Sequence, residues 1–191
     1  DRQMVEGTEN VNTLTKAVKV LQDEFGIEVK QVNMPSATCT STIPIIKELG
    51  GTHGEPGHGF TGTTPYHANH DLPEVPSILY VSEVSHIFEN KAYTFGGGFY
   101  RRSNVKNALA GNNYEELKNN ILEVEVNEPE AIDYYGSLII DDKYVNIGDT
   151  VIYAFRTQIF VTRSEVALVE GISHGNPRLV GIYDSLGNRL R

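Results

Sequence analysis

Thr52-His53-Gly54-Glu55-Pro56-Gly57-His58-Gly59-Phe60-Thr61-Gly62 sets a carboxylate one tight turn ahead of a run of small residues. Glycine lets a backbone approach a ligand closely, and successive N–H groups form a concavity that holds anions. The carboxylate suits a proton on an aromatic nitrogen, and the amides suit a phosphate. A second loop, Asn33-Met34-Pro35-Ser36-Ala37-Thr38, stands at the matching point after the preceding strand-like segment. Together the two loops suggest a phosphorylated heteroaromatic cofactor. Ordinary readings stand beside this one: Glu55 as a solvated turn glutamate, and Gly57-His58 as part of a Pro-Gly turn.

Upstream, Val11, Leu14, Val18, Leu21 and Phe25 recur in steps of three and four, which predicts a helix over 9–25 ended by Gly26. Ile27 to Val32 alternates as a strand. Ile43 to Leu49 reads as a short helix with Pro44 in its first turn and Gly50-Gly51 at its end. Thr52 to Gly54 is a brief second strand. This α-β-α-β order is the product of a parallel sheet or (β/α) barrel. Two strands cannot close a barrel, so residues 1–65 are expected to be its last part. Residues 66–76 read as a Pro-punctuated linker. From 77 to 191, β-rich runs separated by Gly, Asn and Asp predict a mostly antiparallel β-domain. These runs are 78–84, 92–95, 121–126, 137–140, 150–155, 158–162, 166–170 and 179–183. Residues 107–120 are expected to hold a short helix.

The 191 residues are ordinary in composition, with 39% hydrophobic residues and a mean hydropathy of −0.30. No run of about 18 apolar residues is present, so no membrane span is expected. A net charge of −9 argues against nucleic acid, whose phosphates need a basic face. The single Cys39 rules out an intrachain disulfide and fits a reducing cytoplasm. His53, His58, His67 and His70 with Asp71 lack zinc-like spacing, so no metal is expected.

Five motifs in order carry a family resemblance. They are Asn33 to Thr38, Thr52 to His58, Gly96-Gly97-Gly98-Phe99-Tyr100-Arg101-Arg102, Phe155 to Ser164 and Tyr183-Asp184-Ser185-Leu186-Gly187-Asn188. The chain resembles the YhfX-type branch, generally labelled amino-acid racemase, of the alanine racemase and ornithine decarboxylase (fold-type III) pyridoxal-phosphate enzymes. The resemblance covers nearly the whole chain and implies that it is the C-terminal half of such a protein, without the N-terminal half of the barrel. The implied fold is the last βα units of a (β/α)8 barrel followed by the β-domain. The implied cofactor is pyridoxal 5'-phosphate, the substrate a small amino acid, and the assembly a homodimer.

Residue by residue, the resemblance implies that Ser36, Gly57 and His58 bind the cofactor phosphate and that Glu55 pairs with the ring nitrogen. His58 departs from the arginine of the decarboxylases and the aliphatic residue of the alanine racemases. A carboxylate at position 55 favours the protonated ring, a deeper electron sink for a substrate α-carbanion. Tyr100 and Arg156 are the implied catalytic residues, Tyr100 as an acid–base group and Arg156 toward a substrate carboxylate. A solvated surface tyrosine and a structural ion pair are their alternatives. None of the eight lysines lies in a motif for holding the cofactor covalently, so the fragment alone is expected to be inactive. Decarboxylation by the same kind of enzyme, or a non-catalytic dimerisation domain, are the other readings of function.

Overall fold

The computed structural model describes residues 7–35, 38–64, 66–67, 70–96, 105–128, 134–154 and 164–191. It divides into two units, Asp1–Ile78 and Leu79–Arg191.

The first unit contains α1 (Glu9–Phe25), α2 (Ile43–Glu48) and α3 (Gly57–Thr61). Helix α1 follows its apolar stripe and stops where Gly26 turns left-handed, at φ 63°. Its stripe is not enclosed: no residue of α1 is buried, and Phe25 is 67% exposed. Helix α2 starts with Pro44 in its first turn, as its sequence requires. The two strands expected around it do not form. What exists is one isolated parallel bridge, Asn33 with His53. This overturns the expectation that residues 1–65 are the last βα units of a (β/α)8 barrel. A parallel ladder is sustained by neighbours on both edges, and among the described residues these two segments pair only with each other, at one bridge.

The second unit is mostly β. It contains β1 (Tyr80–Phe88), β2 (Lys91–Phe95), β3 (Asn107–Gly111), α4 (Tyr114–Asn119), β4 (Ile121–Glu125), β5 (Tyr135–Ile139), β6 (Thr150–Tyr153), β7 (Val166–Glu170) and β8 (Arg178–Tyr183). Six strands close an antiparallel barrel in the order β1-β2-β5-β4-β3-β6, and β7 and β8 form a separate hairpin. The short helix expected within 107–120 is α4, capped by the Asn113 side chain accepting from Glu116 N. The first part of that range is strand β3, whose Ala108 and Ala110 point into the barrel. The expected run 158–162 lies outside the described residues.

Closure explains the interior. Period-two alternation aims Ala92, Leu122, Val124, Leu138, Val151 and Tyr153 inward. Six strands enclose little volume, so three alanines share it with a few large side chains. Strand β1 carries an irregularity between Val84 and His86, where the Ser85 hydroxyl donates to Tyr93 O at 2.9 Å. Such bulges bend a strand at a barrel rim. At Gly96, φ is 64° and a Cβ would lie 2.6 Å from the Tyr80 hydroxyl oxygen. The first glycine of the Gly96-Gly97-Gly98 run therefore marks a close approach, in keeping with a β-domain glycine rather than a nucleotide loop. Asp184, in the Tyr183–Asn188 motif, accepts from Leu186 N, Asn188 N and Asn188 Nδ2. These bonds, from Asn188 above all, hold its carboxyl below the usual range, so that motif is a turn.

The buried Thr94 and Tyr153 hydroxyls are hydrogen-bonded at 2.8 Å, and burial pushes the Tyr153 phenol well up. Thr94→Val removes this bond from the Tyr153 hydroxyl and is expected to cost about 0.5–1.5 kcal/mol. Adding Tyr153→Phe then costs less than the sum of the single changes, in urea unfolding. Additive losses would show that the two hydroxyls are not partners.

Candidate functional site

The Asn33–His53 bridge sets two segments side by side. Met34 N donates to His53 O at 2.9 Å, and His53 N to Val32 O at 3.1 Å. Val32 N also donates to the Thr52 hydroxyl at 2.8 Å. Beyond the bridge both segments turn, and buried Thr38 joins the turns. The Glu55 amide donates to Thr38 Oγ1 at 2.9 Å. The Thr38 hydroxyl in turn donates to Pro35 O at 2.9 Å. Asn33 Nδ2 donates to Glu55 Oε1 at 2.7 Å. Two glycines permit the approach: a Cβ at Gly54 would lie 2.8 Å from the Thr38 side chain, and one at Gly59 2.9 Å from Thr38 O.

Past Glu55 the chain enters α3, a single turn closed by left-handed Gly62. Within this turn Phe60 N donates to Pro56 O at 3.0 Å, and the Gly57 and His58 amides lie ahead of that bond. The His58 ring does not aim outward alone. Its Nδ1 is 3.0 Å from the Thr63 hydroxyl, which is 2.7 Å from the Thr61 hydroxyl. His58 therefore has a structural task through its ring, and a ligand there would meet its amide.

A strap over residues 70–77 fastens back onto the same region. Thr40 N donates to Glu74 Oε1, and Ser77 N donates to Phe60 O at 2.7 Å. The bonding from Thr40 holds the Glu74 carboxyl below the usual range. His67, hydrogen-bonded to the Thr64 hydroxyl at 2.6 Å, brings Nε2 to 3.8 Å from Glu74 Oε2. Among the described residues these two buried atoms have no hydrogen-bond partner. An open cleft of about 530 Å³ adjoins α2 and the 50–54 segment, with Thr38, Ile46, Lys47 and Gly54 among its walls. Glu55, Gly57 and His58 do not line it, so the cleft and the cofactor candidate share only the Thr38 and Gly54 border.

Three of the six expected site residues, Glu55, Gly57 and His58, thus lie on one turn beside the Asn33–Thr38 loop. Ser36, Tyr100 and Arg156 lie outside the described residues. Among the described residues no group of three or more His, Cys, Asp or Glu could hold a metal ion. The sequence marks the Asn33–Thr38 loop but gives no sign of a task for Asn33 or Thr38. It also sets Glu74 in a linker. A lone carboxylate between two prolines was the available signal, yet its partner is a backbone amide 34 residues away.

The family described as YhfX-like, C-terminal domain, matches residues 79–179, and the chain belongs to that family. It is also 42% identical over 185 residues to the Escherichia coli (strain K12) "Uncharacterized protein YhfX", which covers 96% of this chain and 46% of that protein. The chain therefore spans about half the length of the curated relative it matches. No helix among the described residues is long and apolar enough to cross a membrane.

Two outcomes follow for the first unit. Gly59→Ala drives a methyl into Thr38 O and is expected to cost about 1–3 kcal/mol in thermal or urea unfolding; a neutral result would show that the two turns are not packed as described. Glu74 has a depressed folded value, so its stabilisation is complete above its ordinary value of 4.5 and is lost as pH falls through the folded one. Melting of the wild type should therefore drop on the acid side more steeply than that of Glu74→Gln, and parallel curves would contradict the Thr40 bond.

Proposed function

We propose that the two Thr38-joined turns are half of a pyridoxal 5'-phosphate site, in an amino-acid racemase that works through a substrate α-carbanion. The reading rests on one observation: Thr38 takes the Glu55 amide on its hydroxyl and packs its carbonyl against Gly59. A carboxylate and a set of turn amides, which the sequence marks as separate halves of a cofactor site, are thereby neighbours.

The residues present fit such a group. Glu55 is exposed, and among the described residues its Oε2 has no hydrogen bond, so an acceptor remains for a ring N–H. Gly59 packs against Thr38 O, which a Cβ would meet at 2.9 Å, and this contact sets the preceding Gly57 and His58 amides beside the Thr38 turn. When bound, the cofactor supplies the electron sink for the carbanion. The chain's own residues bind its phosphate through amides, orient its ring and hold a proton at the ring nitrogen through Glu55. Ser36 would add a hydroxyl to the phosphate, with Tyr100 and Arg156 acting on a small amino-acid substrate. The remainder of a protein about twice this length would supply the covalent lysine, in a homodimer.

Glu55 itself favours a second reading. A glutamate in Glu-Pro-Gly is the decarboxylase pattern, and a protonated ring serves loss of carbon dioxide as readily as loss of a proton.

The full-length protein with pyridoxal 5'-phosphate should gain visible absorbance that borohydride abolishes, and should racemise an amino acid. Glu55→Ala should slow turnover about 100-fold or more. Carbon dioxide release in place of racemisation would select the second reading. No absorbance, with Glu55→Ala indifferent, would end both.

A further inference from the structure

We infer that Asn33 is a positioning residue for Glu55: its side-chain amide holds one carboxylate oxygen so that the other meets the cofactor ring. This deepens the reading above and rests on it.

The backbone places Asn33 for the task. A parallel bridge sets it opposite His53, two residues ahead of Glu55, and flanking bonds on either side fix its register. Its Nδ2 reaches Glu55 Oε1 at 2.7 Å, the length of a charge-assisted bond. The nitrogen must face the carboxylate, because the flipped amide would set oxygen against oxygen. Glu55 is then held at two points, its own amide on Thr38 and its Oε1 on Asn33. Oε2 stays uncommitted among the described residues.

The chemistry of the partner matters as much as its place. A lysine or arginine would hold the same oxygen more strongly, but would cancel the charge needed beside a cationic ring. A neutral amide orients the carboxylate and leaves its full negative charge. No lysine or arginine pairs with Glu55 among the described residues. A purely structural tie between two loops would have no need of that neutrality.

The test uses the full-length protein loaded with pyridoxal 5'-phosphate carrying nitrogen-15 in its ring. Nitrogen NMR reads ring protonation, equilibrium titration reads affinity, and thermal melting reads stability. Wild type should show a protonated ring. In Asn33→Ala the ring resonance should move toward the unprotonated position, with cofactor affinity falling roughly 2- to 10-fold. Asn33→Asp, which keeps the shape but sets a second carboxylate against the first, should lose more affinity than Asn33→Ala and provides the reading if the alanine variant is unstable. Unchanged resonance and affinity in both variants, even with lower melting temperatures, would overturn the inference and leave the cofactor reading standing. A wild type that takes up no cofactor, or holds it unprotonated, would remove the cofactor reading and this inference with it.

Discussion

A single buried threonine fixes the geometry of the first unit. Thr38 donates to Pro35 O, which shapes its own loop, and accepts the Glu55 amide, which attaches the neighbouring turn. Its backbone carbonyl then meets the bare face of Gly59. A hydroxyl can donate and accept at once, and few other small side chains can. Valine would keep the shape and lose both bonds, leaving the Glu55 amide without its acceptor. Any larger residue would collide with Gly54 or Gly59. The placement of Glu55 relative to the α3 turn follows from these contacts rather than from an extended strand ladder.

The two units are held together by different means. In the second, six paired strands satisfy one another's backbone groups around a closed circle, leaving no sheet edge in the barrel. Its interior is apolar except for polar groups such as the Thr94–Tyr153 pair. Among the described residues the first unit has one backbone bridge and depends on side chains bonding to backbone: Thr38 to Glu55, Glu74 to Thr40, Thr52 to Val32. Such contacts are individually modest, so losing one should disturb the local turn while leaving the helices formed. Under the proposed function, a bound cofactor would add stability to these turns in proportion to its own binding.

Legibility in the sequence followed the range of the forces involved. Helix α1 and its Gly26 stop could be read because an amphipathic stripe and a left-handed glycine are local facts. Strands β2, β4, β7 and β8 could be read from alternation and punctuation. The segment Ile27–Val32 looked equally like a strand, but a strand is made by its neighbours, and one bridge is all it finds. Strand β3 was not among the expected runs for a related reason: alanine on its own favours helix, while the narrow barrel selects it for size. At the site, Glu55 and the glycines stood out by type. Asn33 and Thr38 did not, since a polar residue at the end of a loop carries no sign of what it will touch. Ser36, Tyr100 and Arg156 lie outside the described residues and rest on the family resemblance and on residue type.

The most direct measurement is a crystal structure of the full-length protein grown with pyridoxal 5'-phosphate. It should show one Glu55 oxygen on the ring nitrogen, the other still on Asn33, and the phosphate on the amides of Gly57 and His58. A cofactor bound elsewhere while Thr38 still joins the two turns, or those turns closed over with no ligand between them, would contradict the assignment.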